Sequence, residues 1–383
     1  LDKHRHRFDL LDSKEPFMQV ANLDTTKATR KPISLIIPDS QHDYFTMRTH
    51  KGRKSIEFDE AARWLIHAQA YDHAGIKSGA IGDPRVKEGK GFPIGTGWTG
   101  MTGGTVIHGR SVLETLLLNT TEEVLSSSSG EDRPVWEREA DSATQRNDRT
   151  GKIAKPLAPQ PGGAADLATW QSRRIRLFSE GDRVVSVLVS IGDRIPDAGK
   201  NLFGDPMTPY RFSEKQTKKG QDAFYPRRYD PQRTMWRSLD ALLVAETDAG
   251  FNNTQLAPKR PATLSNFSRI AKYQRSNEVA NVSIVSMDYK KPKSESIISV
   301  TKGNIGLPLA LLQDDKVSRV HRQYVRDAAD ATRNAASTLG RFAGQLAVAA
   351  GGTYSFNANT ADRLYATLEP LFIAWLRNLD LNN

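Results

Sequence analysis

Apolar positions along this chain change period several times, and each change marks an element. Between Asp59 and Tyr71, the positions Ala62, Leu65, Ile66 and Gln69 follow a 3.6-residue repeat, which predicts a helix. Residues 33–37 (ISLII) are a short apolar run suited to a strand or a helix start. From Arg173 to Phe178 and from Val184 to Ile191 the repeat is two. Ser179-Glu180-Gly181-Asp182 joins the runs, so the pair predicts a β-hairpin. Alternation there sends Ile175 and Leu177 inward and the arginines outward. Val282–Tyr289 and Ser296–Thr301 repeat the arrangement around a cationic tip, Lys290-Lys291-Pro292-Lys293-Ser294. Met235 to Ala245 reads as a helix with Leu239, Leu242 and Leu243 on one face.

The C-terminal pattern is longer. Val317, Val320, Tyr324, Ala328, Ala331, Ala335, Leu339, Phe342, Leu346 and Ala349 recur at steps of three and four. They predict a long helix with an alanine-rich seam that lets a neighbour come close. Asp314 and Asp315 suit its positive end, and Gly351-Gly352 stops it. A second helix begins near Thr360 with Leu364, Leu368, Leu371, Trp375 and Leu379 as its stripe and a kink expected at Pro370. Two helices bury only part of such faces, so further helices, and further residues at both ends of the chain, are expected.

Neither period covers Gly75–Gly109, where 11 of 35 residues are glycine. With Pro84 and Pro93 as fixed joints, this stretch predicts a large shaped loop whose backbone N–H groups can face an anion. Ser111 to Asn119 follows as a short helix, with Ser111 and Glu114 spaced as a capping box. Thr120 to Pro161 is rich in serine, proline and charge and reads as mobile linker anchored by Trp136. Residues 192–231 read as basic and rich in loops.

Composition adds a partner class. The 383 residues carry a formal charge of +10, which favours a polyanion such as nucleic acid. There is no cysteine, hence no disulfide framework and no thiolate metal site, in keeping with a reducing, cytoplasmic setting. No apolar run has the length of a membrane span, and no signal peptide is evident.

Candidate chemistry is sparse. Gly95-Thr96-Gly97-Trp98-Thr99-Gly100 matches GxGxxG, but the β-branched Thr105-Val106-Ile107 that follows is not the helix a dinucleotide site needs. The stretch serves better as a backbone cradle for a nucleic-acid strand, or as structure alone. His67, Asp72 and His73 suggest a metal at first sight, but His67 and His73 do not share a helical face, and no third ligand is placed. The carboxylates form no acid–base pair, and GxSxG and HExxH are absent. The expectation is a protein that is not an enzyme, with no cofactor and no metal.

Several blocks are similar to one family. PFMQV (16–20), AYDHAGIKSG (70–79), GDPRVKEGKGFPIGTGWTG (82–100), GRSVLETLLLN (109–119), DRPVWE (132–137), DLATWQSRRIRL (166–177) and DPMTPYR (205–211) resemble, in order, the CasA family. These are the large subunits of type I-E CRISPR surveillance complexes (Cascade). The resemblance implies an α+β fold: a mixed α/β motif-recognition domain over 1–308 and part of a C-terminal helical domain of four-helix-bundle type over 309–383. It implies recognition of the protospacer-adjacent motif in duplex DNA, help in unwinding the target, and recruitment of a helicase–nuclease. The partners would be other Cascade subunits, CRISPR RNA and target DNA.

By position, Phe45, Thr46, Met47, Arg48 and Thr49 resemble the family's loop near the guide RNA. Gly95, Thr96, Gly97, Trp98 and Gly100 resemble its glycine loop, and Lys200 its minor-groove lysine. Lys291, Pro292 and Lys293 resemble its strand-separating wedge, although family wedges often carry glutamine or asparagine there. The alternative, on charge alone, is a generic basic protein for single-stranded nucleic acid or RNA.

Overall fold

A computed structural model describes residues 2–40, 46–48, 52, 54–126, 132–146, 160–195, 204–217, 222–229, 239, 242–244, 256–271, 279–289 and 297–379. Its strands are β1 (Lys31–Pro32), β2 (Ile56–Glu57), β3 (Lys77–Ser78), β4 (Lys90–Gly91), β5 (Gly103–His108), β6 (Arg173–Glu180), β7 (Arg183–Ile191), β8 (Tyr210–Phe212), β9 (Phe224–Pro226), β10 (Val279–Tyr289) and β11 (Ile297–Pro308). In a four-stranded sheet, β7 pairs with β6 on one side and with the short β1 and β2 on the other. In a three-stranded antiparallel sheet, β10 lies between β5 and β11. Two small hairpins, β3–β4 and β8–β9, complete the set.

Both predicted hairpins form, and both run longer than the alternation indicated. The first closes on Gly181, at φ 59°, and Asp182. Ile175, Val184 and Val187 bury one of its faces with Leu65 of the helix Phe58–Tyr71 and the 3-10 turn Ile33–Ile36. Arg173 and Arg174 do not point outward: each is 1% exposed. Alternation scores arginine as a surface residue, whereas here each guanidinium meets buried acceptors. Arg174 lies 2.8 Å from Asp193 and 3.9 Å from Asp141. Arg146 joins the same cluster, 3.0 Å from Asp166 and 3.1 Å from Asp193, and Arg138 lies 2.7 Å from Asp141.

That cluster also corrects the linker reading. Residues 132–146 pack onto the hairpin where Arg174 donates to the Ser142 and Thr144 carbonyls at 2.8 and 2.9 Å and lies 3.9 Å from Asp141, with Val135 buried and Trp136 against the core. Charge in this segment marks paired groups rather than solvated ones. The glycine-rich stretch is likewise more regular than a loop: it contains β3, β4, the short helix Trp98–Met101 and β5. The helix Ala262–Ala271, unforeseen, buries Leu264 and Phe267.

The long helix spans Lys316–Ala349, capped by Asp315, whose carboxylate accepts from the Ser318 N–H at 2.7 Å. Its buried face is Ser318, Arg322, Val325, Ala329, Ala336, Gly340 and Gly344, not the predicted stripe. Val317 is 64% exposed and Phe342 57%, with Val320, Tyr324 and Leu346 also exposed. Small residues won because they admit a backbone. A Cβ at Gly344 would stand 2.4 Å from the Ser355 carbonyl oxygen, and one at Gly340 2.5 Å from the Phe356 ring. The second helix, Ala358–Arg377, continues through Pro370 and buries Ala361, Tyr365, Phe372 and Leu376, while Leu371 and Trp375 stay exposed.

One core cluster joins Val282, Ile284, Ile305 and Leu307 of the sheet to Val325, Ala329, Tyr365, Phe372 and Leu376 of the helices. The expected boundary at 308/309 therefore falls inside continuous packing. Arg322, fully buried, donates to the Leu311 carbonyl at 3.2 Å and to the Gln313 carbonyl at 2.5 Å, which ties the long helix to the chain that enters it. Among the described residues, no helix is long and apolar enough to cross a membrane.

Candidate nucleic-acid interface

The glycine loop is held from three sides. Arg173 donates to the carbonyls of Asp72, His73 and Gly95, each at 2.9 Å, and its Nε reaches the Asp72 carboxylate at 2.5 Å. Lys77 meets the same carboxylate at 2.7 Å. Burial alone raises the Asp72 pKa, but Arg173 and Lys77 outweigh it and hold the carboxyl below its ordinary range. Burial draws Lys77 below the ordinary lysine value despite the attraction of Asp72, and Arg173 adds to the fall. The two partners share one cause, a dry cationic pair on one carboxylate.

Gly97 and Gly100 are glycine for internal reasons. A Cβ at Gly97 would stand 2.2 Å from the Gln69 carbonyl oxygen, at the end of the helix Phe58–Tyr71. One at Gly100 would stand 2.6 Å from the Tyr289 hydroxyl. Thr96, Gly97, Trp98 and Gly100 are buried, so in this chain they pack against protein. Gly95 differs: it has φ +100°, is half-buried, and has open space where a Cβ would go. Phe92 and Pro93, just before it, are exposed.

Trp98 heads the short helix and anchors a second segment. Its indole N–H donates to Asp205 at 2.6 Å, and Asp205 also accepts from the Thr208 hydroxyl at 2.5 Å. Thr208 lies 3.0 Å from the Thr102 hydroxyl. Trp98 shares a core cluster with Ile195, Tyr210 and Trp170. The far end of the segment that carries Lys200 is thus fixed to Trp98 by Asp205, and Ile195 at its near end lies in the same core cluster; Lys200 itself lies outside the described residues.

A third segment is rooted two residues further on. Tyr289, the last residue of β10, is buried against Gly100 and donates its hydroxyl to the Tyr71 carbonyl at 2.9 Å. Burial pushes its phenol pKa upward. A register shift between Asp288 and Tyr289 bends β10 just before the tip. Lys291, Pro292 and Lys293 also lie outside the described residues.

The first loop enters the description at Thr46, Met47 and Arg48; Phe45 and Thr49 lie outside it. Met47 is 100% exposed. Arg48 lies 2.6 Å from Glu60, on the helix whose far end receives Gly97. His67 packs on Trp64 and Tyr71, and burial lowers its pKa, while His73 lies 3.5 Å from Asp72. Among the described residues, no three His, Cys, Asp or Glu side chains are placed to hold a metal.

Of the residues that organise this region, Arg173, Asp205 and Tyr289 stand in no candidate set read from the sequence, and Asp72 enters only beside His67 and His73 as a metal candidate. Tyr289 was the most legible, as the aromatic directly before a cationic turn. Arg173 was masked by its residue type.

The fold and site thus define an α+β protein in which one short helix supports two basic segments beside a glycine loop. The sequence profile of the family "CRISPR-associated protein Cse1" matches residues 1–383, and the chain belongs to that family. It is similar to Cse1 of Thermobifida fusca, at 34% identity and a TM-score of 0.84 over 100% of this chain and 71% of that one. It is 27% identical over 248 residues to CasA/Cse1 of Thermus thermophilus, covering 63% of this chain. The match spans only 43% of that relative's length. It also shares its fold with a solved chain of a CRISPR RNA-guided surveillance complex, at 18% identity and a TM-score of 0.68 over 98% of this chain and 70% of that one.

Proposed function

We propose that this chain acts as the large subunit of a type I-E CRISPR RNA-guided surveillance complex. It reads the protospacer-adjacent motif in duplex DNA, helps to open the first base pairs and offers a surface to a helicase–nuclease. Its role is recognition rather than catalysis, in the cytoplasm, with the other subunits, the guide RNA and the target duplex as partners. The observation that carries this reading is the common root: Trp98 fixes the base of the Lys200 segment, and Gly100 receives the base of the 290–294 tip.

The physics assigns each part a task. In RNA-guided recognition, base pairing reads the sequence and the protein reads only a short duplex motif. The minor groove presents adenine N3 and thymine O2 acceptors alike, so a lysine there tolerates several motifs. Lys200 donates to those acceptors. Thr96, Gly97, Trp98 and Gly100 are the frame, and contact falls to Gly95 and the exposed edge before it. Unstacking a base step costs a few kcal/mol. Lys291, Pro292 and Lys293 offset that cost only if the duplex is held beside them, which a shared root provides. Thr46 to Arg48 face the guide side through Met47.

Binding by the assembled complex to motif-bearing and scrambled duplexes tests this. Lys200→Ala is expected to weaken motif-bearing duplexes by about tenfold or more and scrambled ones far less. Equal loss on both would mean phosphate binding without motif reading. Shortening Lys290–Ser294 is expected to spare duplex binding and abolish permanganate reactivity of the opened strand.

A further inference from the structure

A second basic surface lies on the β1 edge of the four-stranded sheet, at the opposite end of β6 from Arg173. A turn precedes β1, closed by the Ala28 N–H donating to the Thr25 carbonyl at 2.7 Å. Ala28 sits at φ 46°, a left-handed conformation that non-glycine residues seldom adopt. The Thr29 hydroxyl donates to the Lys27 carbonyl at 2.9 Å. From below, the turn is tied to the glycine-rich stretch by a Thr25–Ala80 bridge and by the Ile81 N–H donating to the Asp24 carbonyl at 2.9 Å. A strained, tied turn thus presents Lys27, Arg30 and Lys31, all exposed.

The register then brings Phe178 alongside. Phe178 pairs with Ser186, and Ser186 with Pro32. The Arg30 guanidinium lies 3.9 Å from the Phe178 ring centroid and that of Arg176 4.9 Å. Arg176 also donates to the Leu23 carbonyl at 3.2 Å. Two like charges on one ring repel each other, and among the described residues no carboxylate pairs with Lys27, Arg30, Lys31 or Arg176. Arg48, Arg85, Arg173 and Arg183, by contrast, each face a carboxylate. An anion settling here would relieve the repulsion.

We propose that Lys27, Arg30, Lys31 and Arg176, gathered round Phe178, form a binding site for single-stranded nucleic acid, separate from the motif-reading edge. The cations are strung along a turn and a strand edge rather than converging on one point, which suits a chain of phosphates better than a lone anion. A guanidinium lying on an aromatic ring keeps its N–H edge for phosphate and its outer face for an unstacked base. A duplex, whose bases are stacked on each other, can use only the charge.

The test uses the full chain and 20-nucleotide oligothymidine, oligouridine and a motif-free duplex, by fluorescence anisotropy across a salt series. Lys27→Glu, Arg30→Glu and Lys31→Glu together are expected to weaken single-strand binding at least tenfold. The salt slope should become shallower by about 2, and duplex binding should change less than threefold. Loss confined to the RNA assigns the site to a guide, and loss confined to the DNA to a displaced strand; either supports the proposal. Unchanged single-strand affinity, or equal loss on the duplex, overturns it. Arg30→Lys keeps the charge but loses the plane and is expected to cost three- to tenfold; wild-type affinity would remove the stacking and with it the single-strand preference. The ratio of motif-bearing to scrambled duplex binding stays unchanged in all these variants, so failure here and failure of the motif reading are separate results.

Discussion

The hairpin β6–β7 and the long helix Lys316–Ala349 each bury what their patterns assign to the surface. The hairpin encloses Arg173 and Arg174, while the helix exposes Val317, Val320, Tyr324, Phe342 and Leu346 and packs on Ala329, Ala336, Gly340 and Gly344. The difference lies in what waits on the other side. The arginines meet Asp72, Asp141, Asp193 and backbone carbonyls, so their charge is compensated as it is desolvated. The helix meets the 354–357 segment and a neighbouring helix at short range, where only small side chains fit. Burial is thus decided by the partner, and a periodicity scan sees one side of each contact.

That contrast can be broken at its strongest point first. Arg174→Ala leaves Asp141 and Asp193 buried with less compensation and is expected to cost about 3–5 kcal/mol, read from the urea midpoint. A cost below about 1 kcal/mol would make the network incidental to stability. The same groups set an acid limit. Burial alone raises the Asp141 pKa, but Arg174 and Arg138 outweigh it and hold the carboxyl below its usual range, as Arg173 and Lys77 do for Asp72. A carboxyl with a depressed folded pKa contributes fully above its unfolded value, about 3.9, and that contribution disappears as pH falls through the folded value. The urea midpoint is therefore expected to hold from pH 7 to about 5 and to drop below about 4; a flat profile to pH 3 contradicts this.

Next comes the helix. Gly344→Val drives side-chain atoms into the Ser355 carbonyl and is expected to cost about 1–3 kcal/mol in thermal or urea melts. The smallest effect belongs to the exposed stripe. Phe342→Ser is expected to move stability by no more than about 0.5 kcal/mol in this chain. A larger loss would show that the exposed ring is packed in solution.

Much of the architecture was legible. Both hairpins, the helix Phe58–Tyr71, the capped helix after Ser111 and both C-terminal helices follow from period, turn residues and caps. Ser111 and Glu114 form half of the capping box: the Ser111 hydroxyl accepts from the Glu114 N–H at 3.1 Å, but the Glu114 carboxylate accepts from the Arg110 N–H, one residue before the cap, at 2.6 Å. What escaped depended on long-range partners. The order in 132–146 rests on Asp166 and Asp193, and the burial of Gly97 on a carbonyl at Gln69. Of the proposed site, the 290–294 tip stands out by composition and Lys200 only by resemblance, while the residues that anchor the flanking chain, Trp98, Asp205 and Tyr289, act through contacts more than a hundred positions apart.

The helix Trp98–Met101 is four residues long, yet two distant stretches of chain converge on it: Asp205 is hydrogen-bonded to Trp98, and the Tyr289 hydroxyl packs against Gly100. Such a mount separates placement from content: under the proposed role, the two basic segments keep their spacing through contacts that lie outside the segments themselves.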